Sequence, residues 1–174
     1  MLKKLFTISF LFLLYFNPSI SNDLKIVYVD IDKVLSQSNA GKSITKQLEN
    51  LNVNNIKKFK EKEKKIKNTE NDLIKKKNVL SKEEFEKKVN NLQIDIKNFK
   101  KNINNSRIDL DQKRLEATSK ILKILNPILA DYSSTNSISL IIQKKNIVIG
   151  KTELDITSQI LKVLNTKIKT VKLN

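Results

Sequence analysis

The chain has 174 residues, 34 Lys and Arg against 18 Asp and Glu for a net charge of +16, and no cysteine or histidine. Their absence excludes disulfides, thiol chemistry and the common zinc and copper sites, and leaves neither imidazole nor thiol for base or nucleophile work. A positive surplus this large draws acidic partners over a range set by salt.

Lys3 and Lys4 precede an uncharged, mostly apolar run from Leu5 to Phe16, followed by Pro18 and Ser19-Ile20-Ser21. This order reads as a secretion signal over residues 1–21, cut ahead of Asn22. The run of twelve is shorter than the roughly 17–25 residues that cross a bilayer, which favours cleavage over the alternative of a retained membrane anchor. With no cysteine near the cut, a lipid-modified anchor is excluded. The exported chain, residues 22–174, has the length of one ordinary domain and keeps a net charge of +14.

Ile26-Val27-Tyr28-Val29-Asp30-Ile31 is a short β-type run. Asp30 and Asp32 stand where it gives way to a helix start, a place where acids serve as caps, and no further carboxylates cluster there to make a metal site. Gly41-Lys42-Ser43 has the look of a phosphate-loop ending. That motif needs a glycine five residues before Gly41, where this chain has Ser36, so Gly41 is read as a turn residue at a helix entry.

From Lys42 to Tyr132 the chain is lysine-rich and helical. The first arm carries a stripe of Ile44, Leu48, Leu51, Ile56 and Phe59, then thins to Ile66, Leu73 and Leu80, one per heptad. The second arm opens with a capping box, Ser81 and Glu84. Its apolar residues Phe85, Val89, Leu92, Ile96, Phe99 and Ile103 alternate steps of four and three, and Leu110, Ala117, Ile121, Ile124 and Ile128 keep that phase. A reversal near residues 78–81 sets Leu73 near Phe85 and Val89, Ile66 near Leu92, Phe59 near Phe99, and Leu51 near Ile108 and Leu110. The stripes therefore meet as an antiparallel hairpin, and forty residues at ~1.5 Å each project on the order of 60 Å.

Fourteen asparagines lie between residues 42 and 132, Asn54 and Asn55 among them, and each in a helix costs up to ~0.7 kcal/mol of propensity relative to Ala. With one thin seam, the expectation is an arm that is firm near the body and flexible toward Asn78. Residues 42–131 hold 23 Lys and Arg against 13 Asp and Glu. Lys75, Lys76, Lys77, Lys82, Lys87 and Lys88 gather around the tip and are the candidate residues for binding an acidic client or an anionic surface.

Ser133-Ser134-Thr135-Asn136-Ser137 ends the second arm. Ile138–Gln143, a Lys144-Lys145-Asn146 turn and Ile147-Val148-Ile149 read as a β-hairpin, and a last helix follows Asp155. The fold class is thus α+β. A small β body, residues 22–41 and 133–174 with three short strands and short helices, carries a helical hairpin arm over residues 42–132 with its tip near 78–81. Three strands with open edges and about sixty residues make a marginal core, and self-association through the body is the simplest remedy.

Arginine occurs only at Arg107 and Arg114 and aromatics are sparse, which, with the secretion signal, argues against a nucleic-acid binder. A transmembrane barrel needs at least eight strands. No catalytic constellation is present and the chain is not read as an enzyme. A structural coiled-coil protein of the cell envelope is the alternative to a binding protein.

Val29-Asp30, Val34-Leu35, Ser38, Ala40-Gly41-Lys42 and Leu48-Glu49 resemble the opening signature of the Skp/OmpH periplasmic chaperones. Asp155-Ile156-Thr157, Ile160-Leu161 and Leu164-Asn165 resemble that family's closing helix. The resemblance covers the exported chain in order; the arms depart from it in being richer in Asn and Lys. It implies a homotrimer joined through the β bodies, with three hairpins around a cavity. Its implied activity is that of a cofactor-free, ATP-independent holdase for unfolded outer-membrane β-barrel proteins. Basic arms would also meet anionic lipid or lipopolysaccharide.

Overall fold

Two strands, β1 (Ile26–Val29) and β2 (Leu140–Gln143), pair in parallel with Ile26 opposite Leu140 and Val29 opposite Gln143. This is the arrangement in the computed structural model, which describes residues 24–173. The secretion signal read at residues 1–21 lies outside the described residues. Parallel neighbours need a crossover of a dozen residues or more, and here residues 30–139 form it. They comprise α1 (Ile31–Gln37), α2 (Asn39–Lys76) and α3 (Lys82–Thr135). The last helix, α4 (Thr157–Lys167), closes the body.

Each helix start has a local cause. The Asp30 carboxylate accepts from the Lys33 amide at 2.9 Å and starts α1, with Asp32 in the favourable first turn. Ser38 ends α1 and its hydroxyl accepts from the Gly41 amide at 3.0 Å, which starts α2 one residue later. Gly41 is therefore not the turn residue that the sequence implied. It lies inside the first turn of α2 with an ordinary helical φ, and a Cβ there would stand 1.7 Å from the Leu35 carbonyl oxygen. Glycine is required by the close approach of two backbones.

The capping box at Ser81 and Glu84 forms as read, each side chain bonding the other residue's amide. Helix α3 runs through Pro127 and past Tyr132 to Thr135, three residues beyond the expected end. It stops where Ser137 takes a positive φ of 51° and the Ile138 amide reaches back to the Ser133 carbonyl at 2.9 Å, a Schellman-type closure.

The core sits where the roots of α2 and α3 meet the strands and α4. Val27, Val29, Val34, Ile44, Leu48, Ile121, Leu125, Ile156, Ile160 and Leu164 are all buried there. Both faces of β1 are covered, because Tyr28 packs beneath Gly150 and its hydroxyl donates to the Lys151 carbonyl at 3.1 Å. On the edge of β1 away from β2, the Ile156 amide donates to the Tyr28 carbonyl at 2.9 Å.

The third expected strand is absent. Lys144–Asn146 winds into a 3₁₀ turn, with the Ile147 amide on the Lys144 carbonyl, and this turns the chain away from β2. Ile147, Val148 and Ile149 then have no strand partner, and Val148 and Ile149 are 99% and 91% exposed. The predicted hairpin fails because the following residues are drawn across the Tyr28 ring instead of along β2. The first strand is also shorter than its apolar run, since Asp30 is a cap and Ile31 already helical.

Candidate functional site

The feature that sets this molecule apart is its arm. Leu173 of the C-terminal tail shares a cleft with Leu51, Asn54 and Lys113 at the root of the arm. Farther out the two long helices pack on each other, in the expected register for Phe59 with Phe99. Phe59 meets Phe99 edge-on at 6.1 Å between ring centroids, and Lys62 pairs with Asp95 at 3.3 Å. Leu73 is buried near the tip, in a cleft of about 320 Å³ shared with Lys76, Lys88 and Leu92. Three expected seam residues, Ile56, Ile103 and Ile108, are instead 44%, 42% and 55% exposed, and Ser106 and Leu110 take the seam on either side of Ile108. Asn55 occupies the seam where Ile56 was expected, and its amide donates across to Ser106 Oγ at 2.7 Å, while Ile56 is exposed. Steps of four from Leu51 to Asn55 to Phe59 keep the helix phase, whereas Ile56, one residue past Asn55, falls about 100° round the helix from it.

All six candidate lysines gather at the far end of the arm and are exposed. Lys75 and Lys76 lie in the last turn of α2, where cations meet the negative end of the helix dipole, and Lys77 caps it. Lys82 opens α3, and Lys87 and Lys88 follow one to two turns later. Glu83 and Glu84 interrupt this charge in the first turn of α3. Hydrogen bonds from the Ser81 hydroxyl and amide hold the Glu84 carboxyl below its ordinary pKa. Sequence reading missed that the exposed aliphatic residues Ile74 and Val79 share this tip with the lysines.

A second set lies along α3, of which sequence reading named only Ile108 and placed it in the seam. Ile94, Ile108 and Leu115 are exposed by 57%, 55% and 71%, at spacings of fourteen and seven residues and out of phase with the seam. The signal was present in the sequence as a second heptad repeat, masked by the stronger first one.

In the body, polar groups close on one another. The Asp155 carboxylate accepts from the Thr157 amide at 2.9 Å, from the Thr157 hydroxyl, and from Lys144 Nζ at 3.2 Å. Thr157 Oγ1 in turn accepts from the Asp30 amide at 2.9 Å. Burial pushes the Asp155 carboxyl up, but Thr157 and Lys144 together hold it below its ordinary range. Lys144, whose ammonium lies 5.8 Å from the Tyr28 ring centroid, is raised by its bond to Asp155. Every member is bonded to another, as in a structural lock. Among the described residues no group of three or more His, Cys, Asp or Glu could hold a metal. No helix among them is long and apolar enough to cross a membrane.

No curated protein matches the chain at a significant level. The crystal structure of an OmpH-like candidate outer membrane chaperone from Caulobacter crescentus CB15 superposes with a TM-score of 0.81 at 16% identity, over 92% of this chain and 95% of that one. The likeness extends over the body and the arm and shows a shared fold. Residues 25–164 match the family described as outer membrane protein (OmpH-like). With most of its length inside that match, the chain belongs to the OmpH-like family.

Proposed function

We propose that the chain is an ATP-independent holdase of the periplasm, exported by the signal at residues 1–21, that keeps unfolded outer-membrane β-barrel proteins soluble before insertion. The observation that carries this reading is the arm. It is a thin two-helix hairpin with large apolar side chains left on its surface and a cluster of lysines at its end. Such a surface supports many weak contacts, and multivalency raises total affinity without any strong one. The reading includes a homotrimer joined through the bodies. It is supported by the open apolar residues there, Ile26, Leu140, Val148 and Ile149, which a neighbouring copy would cover. The tip lysines Lys75, Lys76, Lys77, Lys82, Lys87 and Lys88 are proposed to draw acidic clients or anionic lipid and lipopolysaccharide surfaces.

The test is light scattering from a β-barrel protein diluted out of urea. Stoichiometric protein, without ATP, should suppress aggregation. A purely structural coiled-coil protein of the envelope would leave scattering unchanged.

A further inference from the structure

The two outward faces of the hairpin differ in chemistry. On α2 the positions in phase with exposed Val53 are Lys46, Lys60, Lys67 and, at the tip, Ile74, bordered by Glu49, Lys57, Glu63 and Lys64, all exposed. On α3 the corresponding line is Lys87 at the tip, then Ile94, Lys101, Ile108 and Leu115. Ile94 lies two residues from seam positions Leu92 and Ile96, about 200° round the helix from each, so this line faces away from α2. Its borders, three and four residues from the apolar positions, are mainly uncharged: Asn98, Asn104, Asn105, Gln112 and Ser119. Only Lys97 and Asp111 add charge beside it. In arms holding 23 Lys and Arg, this face of α3 between residues 90 and 119 thus carries two lysines, Lys97 and Lys101.

Resting on the holdase reading, we infer that this face of α3 is the track on which an unfolded polypeptide lies in extended form. Carboxamides carry both a donor and an acceptor, and an unfolded chain offers unpaired backbone N–H and C=O groups that need both. The side chains of Asn98, Asn104 and Asn105 make no hydrogen bond within the described chain and are available for this role. Ile94, Ile108 and Leu115, about 21 and about 10.5 Å apart along the helix, supply apolar contacts for side chains several residues apart on the extended segment. A helix of a second copy is disfavoured as the occupant. Helix pairing needs two apolar positions per heptad, whereas this line has one and is broken by Lys101. The charged face of α2 suits solvent.

The test compares the full chain with a triple variant, Ile94→Ser, Ile108→Ser and Leu115→Ser, and with a control, Val53→Ser and Ile56→Ser. All five positions are exposed, so unfolding temperature and solution mass should stay unchanged in both variants. The readout is the concentration giving half-suppression of scattering from a urea-diluted β-barrel protein. The triple variant should need roughly tenfold more protein, from the loss of partial burial at three side chains, and the control less than twofold more. A second variant, Asn98→Lys with Asn105→Lys, should also weaken suppression. Equal activity of triple variant and parent overturns this inference alone, as does an equal loss in the control. A drop in solution mass of the triple variant assigns the face to a second copy and overturns it too. Failure of the unmodified chain to suppress scattering overturns the holdase reading itself, and the track with it.

Discussion

Asn55 and Ser106 join hands across the arm, amide nitrogen to hydroxyl oxygen at 2.7 Å, at the first place beyond the body where the seam is polar on both helices. From there to the tip the seam alternates between apolar contacts, such as Phe59 with Phe99, and charge, such as Lys62 with Asp95. A polar pair in a helical seam fixes register and gives up some stability for it. In a double-mutant cycle, Asn55→Ala and Ser106→Ala should show a coupling of about 0.5–1.5 kcal/mol. Replacing both with Leu should stabilise the arm while loosening its register. Local amide exchange of α2 and α3 is the measurement for each variant.

The same gradient predicts how the arm opens. Amides near Ile44, Leu48, Ala117 and Ile121, packed in the body, should exchange only on global unfolding. Amides beyond Asn55 and Ser106 should exchange progressively faster toward residue 78. Uniform strong protection along the hairpin would contradict a seam this thin.

Gly41→Ala probes the elbow between α1 and α2. With the new methyl 1.7 Å from a backbone oxygen, no side chain can yield to make room. The expected loss is about 1–3 kcal/mol or more, read as a lowered urea midpoint. Ala40, its buried neighbour, would not report the same strain.

Acid should act through Asp155. Its folded pKa lies below the ordinary 3.8. Its contribution is therefore fully present above that value and is lost as pH falls through the folded pKa. Lys144, raised above 10.5, contributes below that pH and loses its share as pH rises past it. Asp155→Asn should lower stability at neutral pH and reduce its fall below about pH 4, in urea titrations at stepped pH.

Much of the fold was legible because helical seams are written in period. The second arm, the capping box and the reversal near residues 78–81 could all be read from spacing and cap chemistry. Reading failed where a tertiary contact outranked local preference. Ile147 to Ile149 has strand composition, but Tyr28 and the 3₁₀ turn at Lys144 take the chain elsewhere. Gly41 looked like a turn because nothing in one sequence reveals that Leu35 passes so close. Among the candidate site residues, the lysines rest on charge alone, whereas Ile74, Val79 and the outer line of α3 needed exposure to be seen.

The tip lysines answer to salt. Lys75, Lys76 and Lys77 changed together to Gln should weaken capture of an acidic client at low ionic strength and leave capture at high salt little altered. Unchanged capture in both conditions would retire the electrostatic role proposed for the tip.

Sedimentation velocity of the protein mixed with a urea-diluted outer-membrane β-barrel protein, with no nucleotide present, bears most directly on the whole account. It should reveal a soluble complex heavier than either component, with the barrel protein held in it. If the barrel protein pellets and the chain sediments at its own unchanged mass, the arm does not hold unfolded chains.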